Sequence, residues 1–392
     1  MKKIPFSLMG KVTGSTCNID CTYCYYLNKK DTDSRQITLS DEVLEAYIRS
    51  YIDSQGREVE FVWHGGEPLL AGLAYFEKII ALQNKHNGEG KLIYNSLQTN
   101  GVLLNDKWCE FFSNHNFLIG ISIDGPESIH DFYRKNRTQK GTLNKALSGL
   151  ALLKKHRVEF NTLTVVTQHS ADKGVLVYDY LKSLGVEHMQ FIPAVDRFDG
   201  NNSKVIFTDS NDIAYYDWSL KTGQLSEFLI DVFGAWIKQD VGKVYVKQFD
   251  SLLASHYGLP AEICFHRESC GNAMVMEKNG DIFSCDHYVE DDYRIGNVLE
   301  GDYIKMLSSD AHSEFSDLKG DLSQDCRSCD YLSLCYGDCP RYRYIPLDSG
   351  EKMSFFCSDH KAFFKYTKPY MEYMVEQLQN GLPPSEIMNI NL

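Results

Sequence analysis

The stretch "IPFSLMGKVTGSTCNIDCTYCYY", residues 4–26, joins a short apolar segment to a loop that carries three cysteines. The apolar part, 4–12, predicts a β-strand, and Cys17, Cys21 and Cys24 follow it closely. Three thiolates are one fewer than a closed tetrahedral zinc site takes. A cubane iron–sulfur cluster also takes one ligand per iron, usually four cysteines. The loop therefore predicts a metal centre with one position left open for a small molecule.

Strand-like and helix-like segments alternate along the first half of the chain. Runs of apolar, β-branched or aromatic residues predict further strands at 58–63, 91–99, 117–124, 158–166 and 187–193. Apolar residues at helical spacing predict helices between the strands, at 40–54, 72–87, 105–115, 141–155 and 172–184. Strands that alternate with helices indicate a parallel sheet, so the predicted fold class is α/β, either an incomplete barrel or a doubly wound sheet.

Polar motifs follow the strands and not the helices. Besides the cysteine loop, they are "HGGEP" (64–68), "QTNG" (98–101), "SIDGP" (122–126) and "QFIPA" (190–194). The carboxyl ends of parallel strands share one face, where active sites of αβ folds are built. The motifs are therefore predicted to converge in space.

Composition narrows the class of protein. The chain has 392 residues, 43% of them hydrophobic, and a formal net charge of −13, which argues against nucleic acid as a partner. It has no apolar run of the roughly 20 residues that span a bilayer. Pro5, Ser7 and Gly10 break the apolar stretch after the basic tip, so a signal peptide is not expected. We expect a cytoplasmic protein that binds neither nucleic acid nor membrane.

The second half is organised differently. Residues 201–240 read as a loop followed by a helix, which bridges to a turn-rich domain that depends on metals for folding. The expected domains are 1–235 and 236–392, the second with a C-terminal helical segment.

Twelve cysteines are unusually many for a chain of this composition. In a reducing compartment they indicate metal binding or catalysis and not disulfides. Eight lie in the last third and could fill two four-thiolate sites: Cys264, Cys270, Cys285, Cys326, Cys329, Cys335, Cys339 and Cys357. Two structural zinc ribbons are an alternative, because C-x2-C is also a zinc pattern. Cys109 is left over and is predicted to be a core residue on a helix.

The N-terminal loop resembles the signature of the radical S-adenosylmethionine (SAM) superfamily, C-x3-C-x-aromatic-C, at Cys17, Cys21, Tyr23 and Cys24. The resemblance implies a partial (β/α)6 barrel, similar to a TIM barrel, and a cluster whose open iron chelates SAM. It also implies reductive cleavage of SAM to a 5′-deoxyadenosyl radical that removes hydrogen atoms from unactivated C–H bonds. A zinc site completed by His64, or a chance cluster, stays open as an alternative.

Two further motifs resemble SAM-binding positions of that superfamily. Gly65, Gly66 and Glu67 match its GGEP motif, which binds the SAM amino group. Ser122 and Asp124, with Arg134 downstream, match positions that hold the ribose and carboxylate of SAM. Turn capping is an equally weighted reading of Ser122 and Asp124.

The C-terminal cysteines resemble the SPASM extension of peptide-modifying radical SAM enzymes, with G-x4-C at 280–285 and C-x2-C-x5-C-x3-C at 326–339. The resemblance implies two auxiliary [4Fe–4S] clusters, and therefore three clusters in all. The implied ligands of one are Cys264, Cys270, Cys285 and Cys339, and those of the other are Cys326, Cys329, Cys335 and Cys357.

"CDHY", starting at Cys285, resembles the anaerobic sulfatase-maturating enzymes, and the resemblance covers nearly the whole chain. It implies oxidation of a Cys or Ser in a sulfatase C/S-x-P/A-x-R sequence to Cα-formylglycine. Asp286 would be the general base, and an auxiliary cluster would take the second electron. His287 and Tyr26 are possible substrate contacts. On the residues alone, Asp286 reads more simply as a cap or a solvated charge.

Two other functions compete with this one. A related radical enzyme could form thioether or other crosslinks in a ribosomal peptide, and a zinc-stabilised binding protein would have no chemistry. Asp286, and the lack of a dedicated N-terminal peptide-recognition domain, favour the maturase. The expected partners are a sulfatase segment and an electron donor such as flavodoxin or ferredoxin. The choice between Cys and Ser substrates stays open.

Overall fold

The computed structural model describes residues 6–26, 37–199 and 213–390. Its strands are β1 (Ser7–Lys11), β2 (Glu58–His64), β3 (Leu92–Thr99), β4 (Phe117–Ser122), β5 (Phe160–Val166), β6 (His188–Pro193), β7 (Arg197–Asp199), β8 (Ile213–Tyr215), β9 (Tyr245–Val246), β10 (Ala273–Met276), β11 (Asp281–Phe283), β12 (Arg294–Asn297), β13 (Arg343–Pro346) and β14 (Lys352–Ser354). Its helices are α1 (Asp41–Ser54), α2 (Leu73–His86), α3 (Asp106–Asn114), α4 (Glu127–Tyr133), α5 (Leu143–Lys155), α6 (Gly174–Ser183), α7 (Gln224–Gln239), α8 (Lys247–His256), α9 (Tyr303–Leu307), α10 (Asp310–Asp317), α11 (Gln324–Arg327), α12 (Leu332–Cys335) and α13 (Cys357–Gln379).

The predicted alternation of strands and helices is confirmed. The six predicted strands are β1 to β6, and the five predicted helices are α1, α2, α3, α5 and α6. The short helix α4 was not predicted. Residues 4 and 5 of the first predicted strand and residues 201–212 of the predicted linker lie outside the described residues.

Helix α1 shows how local sequence sets these elements. The Ser40 side chain accepts a hydrogen bond from the backbone N–H of Val43 at 3.2 Å, which caps the helix. Asp41 and Glu42 occupy the first turn, where the helix dipole favours negative charge. Its buried face carries apolar residues at helical spacing, including Tyr47, and this face packs against the aromatic residues of β2.

The chain folds as two compact units. Unit one contains the described residues of 1–122, 130–161 and 271–317, and unit two contains those of 123–129, 162–270 and 318–392. The units interleave along the chain and are not two successive segments. The domain bounds 1–235 and 236–392 therefore stay a prediction.

Unit one is built on a sheet with the order β12-β11-β10-β1-β2-β3-β4. Strands β1 to β4 run parallel, and β10 is parallel to β1, whereas β11 and β12 are antiparallel. The cysteine-rich part of the sequence thus supplies β10, which lies beside β1, and the next two strands, β11 and β12. In β2, Val59, Phe61 and Trp63 alternate with more exposed residues and are fully buried, so one face of the strand lies in the core.

Unit two contains the parallel strands β5, β6 and β9 and the antiparallel pairs β7–β8 and β13–β14. Helices α7 and α13 pack together around Phe233, Phe249 and Phe363. The helix predicted within 201–240 is confirmed as α7, and its apolar residues Leu225, Phe228, Leu229, Val232 and Trp236 are all buried. Among the described residues, no helix has the length and apolar character needed to cross a bilayer.

Candidate active site and cluster-binding cysteines

The loop that carries Cys17, Cys21 and Cys24 follows β1 and is held by its backbone. The Cys24 N–H donates to the Cys21 carbonyl at 2.9 Å, which closes a turn between these two cysteines. The Arg137 guanidinium donates to the carbonyl of Cys17 at 2.7 Å. Burial raises the pKa of the Cys17 thiol to about 11. This thiol therefore has to lose its proton when it binds a metal.

Tyr23, the aromatic residue of the cysteine signature, contacts another residue predicted to bind SAM. The Arg134 guanidinium donates to the Tyr23 hydroxyl at 2.7 Å, and Arg134 is only 6% exposed. This contact ties the cysteine loop to the segment that follows α4. Tyr23 and Arg134 therefore stabilise the loop, and their contacts with SAM stay predictions.

The "GGEP" loop after β2 lies directly against the cysteine loop. The Gly66 N–H donates to the carbonyl of Gly14 at 2.7 Å, and the Glu67 N–H donates to the carbonyl of Thr16 at 2.9 Å. A Cβ atom at Gly66 would stand 2.2 Å from the Thr16 carbonyl oxygen. Gly65 has a φ angle of +133°, a backbone conformation that residues with a side chain rarely adopt. The two glycines are therefore required for the close approach of these two loops.

The Glu67 carboxylate is fully buried and binds the loop after β3. One oxygen accepts hydrogen bonds from the Leu69 N–H at 3.0 Å and the Thr99 hydroxyl at 2.8 Å. The other accepts from the Asn100 N–H at 2.8 Å. Burial raises the pKa of Glu67 to about 7, although these hydrogen bonds lower it. The carboxylate joins two of the polar loops that the sequence predicts to converge.

Ser122 and Asp124 lie in different units, so each is described separately. The Ser122 hydroxyl accepts a hydrogen bond from the Gln98 amide at 3.0 Å, within unit one. Asp124 is 3% exposed, and its Oδ1 accepts from the Val165 N–H at 3.1 Å, within unit two. Neither of these two contacts is a local turn cap, because Gln98 lies on β3 and Val165 on β5. Both the capping interpretation and the SAM contacts therefore stay predictions.

Asp286 is held by two residues from the beginning of the chain. The ammonium of Lys11, at the end of β1, lies 2.7 Å from its Oδ1. The Tyr25 hydroxyl donates to its Oδ2 at 2.8 Å. Lys11 has no exposed surface, whereas the Asp286 side chain is 24% exposed. The carboxylate is therefore fixed from the protein side and keeps one accessible side, all within unit one.

The charges around Asp286 fix its protonation state. Burial raises the pKa of Asp286, but several groups together, with the charge of Lys11 the largest contributor, hold the pKa well below its usual range. Burial and Lys11 lower the pKa of His64 to about 3, so this imidazole is neutral. Its Nδ1 accepts from the Gly65 N–H at 2.8 Å, so the ring proton is on Nε2. Burial also raises the pKa of Tyr25, so its phenol stays a donor.

Tyr26 and His287, the possible substrate contacts, lie beside this group. Tyr26 is 3% exposed, and its hydroxyl donates to Glu277 at 2.5 Å. Its ring covers Lys11, whose ammonium lies 4.7 Å from the ring centre. The His287 N–H donates to the Cys285 sulfur at 3.4 Å. Substrate contact by either residue stays a prediction.

One cavity of unit two brings four predicted cluster ligands together. Cys326, Cys329, Cys335 and Cys357 line one cavity, which we name the four-cysteine cavity. Burial raises the pKa of Cys335 to about 12 and that of Cys357 to about 11. A cubane cluster takes one thiolate at each iron, so the donor set fits such a cluster.

The other predicted auxiliary ligands are divided between the units. Cys264, Cys270 and Cys339 belong to unit two, and Cys285 follows β11 in unit one. Lys319 joins two of the loops in unit two, because its ammonium donates to the carbonyl of Phe265 at 2.8 Å and to that of Asp338 at 2.7 Å.

The remaining cysteine observations are simple. Cys109 is fully buried in α3, as predicted. No disulfide joins the twelve cysteines, all of which are among the described residues. Within the described part of the chain, no three side chains of His, Cys, Asp or Glu are grouped closely enough for a single metal ion.

Known families match both the core and the cysteine-rich part of the chain. The radical SAM superfamily matches residues 12–176, and SPASM, an iron–sulfur cluster-binding domain, matches residues 264–330. A serine-type anaerobic sulfatase-maturating enzyme from Bacteroides thetaiotaomicron is 39% identical, over 98% of this chain and 94% of its own. The chain belongs to the anaerobic sulfatase-maturating enzymes.

Other members of this maturase family are also similar to the chain. A cysteine-type anaerobic sulfatase-maturating enzyme from Clostridium perfringens is 34% identical, over 93% of this chain and 97% of its own. The solved structure of native anSMEcpe with bound AdoMet and Cp18Cys peptide has a TM-score of 0.86 and 33% identity, and covers 96% of this chain and 100% of that one. These similarities confirm the α/β class with a radical SAM core and a SPASM domain. This maturase-family member is a radical SAM oxidoreductase, and its domains indicate iron–sulfur clusters and SAM as cofactors.

Sequence reasoning missed part of the site of this maturase-family chain. Lys11 and Tyr25 were not predicted, and His64 was considered only as a zinc ligand. The one available signal was a lysine at the end of an otherwise apolar strand. A lysine there needs a partner when buried, but nothing in the sequence indicates that the partner is Asp286.

Proposed function

We propose that this chain oxidises a Cys or Ser side chain, in a C/S-x-P/A-x-R sequence of a sulfatase, to Cα-formylglycine. The observation that carries the proposal is the Asp286 carboxylate, held by Lys11 and Tyr25 with one side accessible. The names of its relatives, both serine-type and cysteine-type, support the same reaction. They favour it over peptide crosslinking and over a zinc-stabilised binding protein.

The proposed radical-generating centre uses the N-terminal loop. Cys17, Cys21 and Cys24 would hold a [4Fe–4S] cluster with an open iron for SAM. The residues proposed to surround SAM are Tyr23, Gly65, Gly66, Glu67, Ser122, Asp124 and Arg134. When bound, the cluster and SAM together supply a 5′-deoxyadenosyl radical that removes a hydrogen atom from the substrate Cβ. Because Gly66 has no side chain, the loop after β2 can lie directly against the cysteine loop.

The proposed auxiliary centres complete a set of three [4Fe–4S] clusters. Cys326, Cys329, Cys335 and Cys357, which share the four-cysteine cavity, would hold one of them. Cys264, Cys270, Cys285 and Cys339 would hold the other. Full cysteine ligation suits electron transfer and not substrate binding. These centres would carry away the second electron that a two-electron oxidation releases.

Asp286 is the proposed general base for the substrate thiol or hydroxyl. The Lys11 ammonium keeps the carboxylate ionised, so it can accept a proton at neutral pH. The Tyr25 hydroxyl donates to Oδ2 and fixes the orientation of the carboxylate. Loss of a Cβ hydrogen atom, the S–H or O–H proton and one further electron gives a thioaldehyde or an aldehyde, and the thioaldehyde hydrolyses to the aldehyde.

The proposed partners follow from this reaction. The substrate is a sulfatase segment, and the electron donor is proposed to be a flavodoxin or a ferredoxin. The proposed compartment is the cytoplasm, where thiols that bind iron–sulfur clusters stay reduced.

The deciding experiment incubates the reduced, anaerobically purified protein with SAM and three peptides that differ only in Cys, Ser or Ala at the target position. We expect 5′-deoxyadenosine and a mass loss that matches aldehyde formation with the Cys peptide, the Ser peptide or both, and none with the Ala peptide. Deuterium placed on the target Cβ should appear in 5′-deoxyadenosine. Formation of 5′-deoxyadenosine without peptide oxidation, or a crosslinked product that does not react with a hydrazide, would contradict the proposal.

A further inference from the structure

A buried carboxylate lies on the segment that joins Cys335 and Cys339. Asp338 is 1% exposed, and its Oδ2 accepts a hydrogen bond from the Ser354 hydroxyl at 2.7 Å. The Nε2 atom of His360 lies 3.3 Å from the same oxygen. A hydroxyl donor and an imidazole nitrogen thus lie at the same oxygen, an arrangement that favours an ionised carboxylate inside the protein.

The backbone of this segment is held in an unusual conformation. Tyr336, Gly337 and Asp338 have φ values of +46°, +71° and +62°. A left-handed conformation is unfavourable for a non-glycine residue. The buried Arg343 guanidinium donates to the carbonyls of all three residues. These hydrogen bonds offset the strain and fix Asp338 where its side chain meets Ser354 and His360.

The partners of Asp338 line the four-cysteine cavity. Ser354 and His360 are both part of its wall, next to the four thiols. The His360 ring stacks on Phe364 with 5.8 Å between ring centres. The ring of His266, two residues after Cys264, lies 5.0 Å from the His360 ring. Asp338 and both histidines also line a second cavity, whose other lining side chains are mainly apolar. Because Asp338 is 1% exposed and has these apolar neighbours, little water screens its charge.

We propose that the charge of Asp338 tunes electron transfer. Its carboxylate, oriented by Ser354 and His360, lowers the reduction potential of the cluster in the four-cysteine cavity. The inference rests on the proposed function, because that function assigns Cys326, Cys329, Cys335 and Cys357 to a cluster. Asp338 also directly precedes Cys339, a proposed ligand of the other auxiliary cluster. One charge would thus act on both auxiliary centres.

The physical reason is the interaction of charges at low dielectric. Reduction adds an electron to the cluster, and a nearby negative charge makes that addition less favourable. The effect is large only where water is excluded, and net charge, burial and hydrogen bonding are known to set cluster potentials. A purely structural Asp338 would instead only secure β14 through Ser354, and its charge would not change a potential.

The test uses the full chain with Cys17, Cys21 and Cys24 changed to Ala, so that only the auxiliary clusters give a signal. In this background we compare Asp338→Asn, Ser354→Ala and Asp330→Asn by redox titrations monitored by electron paramagnetic resonance. Asn tolerates the left-handed conformation, so Asp338→Asn keeps the backbone and removes only the charge. Asp330→Asn is the matched control, because Asp330 directly follows Cys329 but is exposed.

We expect Asp338→Asn to shift the auxiliary potentials to more positive values than Asp330→Asn does. Ser354→Ala keeps the carboxylate and removes a donor that disperses its charge, so the shift should have the opposite sign. Equal potentials in the parent and Asp338→Asn proteins, or equal shifts in Asp338→Asn and the control, would overturn the inference. If Asp338→Asn loses iron, Ser354→Ala decides, and an unchanged potential in that variant overturns it.

Failure of the proposed function is seen separately. A wild-type protein that does not oxidise the Cys or Ser peptide would refute the maturase reaction, whatever the potentials are. Potentials that do not respond to Asp338 would refute only the present inference and leave peptide oxidation standing.

Discussion

At the scale of single residues, the candidate site depends on one buried lysine. Lys11 is fully buried, and its ammonium lies 2.7 Å from Asp286 Oδ1, 3.2 Å from His64 Nδ1 and 3.3 Å from the Tyr25 hydroxyl. A buried ammonium is costly without such partners. Its position at the end of β1, beside the cysteine loop, puts a fixed positive charge next to the proposed base.

Asp286→Asn removes the proposed base but keeps the shape of the side chain. We expect SAM cleavage to persist and peptide oxidation to fall by about 10²–10⁴-fold, the usual contribution of a general base. Quantifying 5′-deoxyadenosine and oxidised peptide in the same reaction measures both. Asp292→Asn, an exposed change on the same loop, is the control and should match wild type. Unchanged peptide oxidation in Asp286→Asn would remove this residue from the mechanism.

Lys11→Met removes the cation and leaves the Asp286 charge without its partner. Breaking a buried pair costs on the order of 3 kcal/mol, so the thermal unfolding temperature should fall. Peptide oxidation should fall as well, because the carboxylate is no longer held in place. Tyr25→Phe removes only one hydrogen bond and should have a smaller effect on both measurements. A Lys11→Met protein with wild-type stability and oxidation would contradict this account of the pair.

At the scale of elements, the site is assembled by loops that follow neighbouring parallel strands. The loop after β2 bonds to the cysteine loop after β1 through Gly66 and Glu67, and to the loop after β3 through the Glu67 carboxylate. Register places these loops at one edge of the sheet of unit one. The contact between the loops after β1 and β2 depends on Gly66, which has no side chain.

Gly66→Ala should therefore separate the two loops. Its Cβ would stand 2.2 Å from the Thr16 carbonyl oxygen, so the backbone next to Cys17 has to move. We expect loss of SAM binding in equilibrium dialysis while the overall fold, followed by circular dichroism, is kept. Gly56→Ala is the control, since nothing lies within 4 Å of a Cβ there, and it should bind SAM normally. Normal SAM binding by Gly66→Ala would refute the close-approach argument.

Arg343, at the start of β13, sets the conformation of a loop in unit two, as Gly66 does in unit one. Its guanidinium is buried, and its five N–H groups lie within hydrogen-bonding distance of six backbone carbonyls, those of Leu318, Lys319, Asp321, Tyr336, Gly337 and Asp338. Lysine cannot replace this planar set of donors. The segment between Cys335 and Cys339 therefore depends on this arginine for its conformation.

Arg343→Lys should reduce the iron bound in the auxiliary clusters and leave the N-terminal centre able to cleave SAM. Iron and sulfide analysis, combined with 5′-deoxyadenosine formation, measures the two effects separately. Arg327→Lys changes an exposed arginine with one backbone hydrogen bond, so it should keep its full iron content. Equal iron contents in the two variants would show that the buried hydrogen bonds do not support the ligands.

At the scale of the whole molecule, the proposed cluster ligands lie in separate units. Cys17, Cys21 and Cys24 belong to unit one, and the four-cysteine cavity belongs to unit two. Each group is held by hydrogen bonds within its own unit. The proposed radical-generating centre and one proposed auxiliary centre should thus be separable by mutation.

Changing Cys17, Cys21 and Cys24 to Ala tests this separation. Three cubanes require about twelve iron atoms per chain, and removal of one should leave about eight. We expect the variant to stay folded and coloured but to form no 5′-deoxyadenosine. Anaerobic iron and sulfide analysis beside an activity assay provides the measurement. A wild-type protein with zinc and no sulfide, or full activity in the variant, would contradict the assignment of the clusters.

The sequence by itself determined the alternation of elements and the family. Apolar spacing of two residues in β2 and of three to four in α1 is a local property, so it can be read without tertiary structure. The cysteine spacings are equally local, and they identified the N-terminal loop and the C-terminal ligands as candidates. The capped start of α1 at Ser40 was also predictable, because a cap involves only neighbouring residues.

Only the tertiary structure decided which residues meet. The pairing of Lys11 and Tyr25 with Asp286, and of Asp338 with Ser354 and His360, joins segments that have no local relation in the chain. The same is true of β10, which lies beside β1 although it comes from the cysteine-rich part. The physical reason is that burial makes a charge costly without a partner, but the sequence does not say which partner the packing brings within reach.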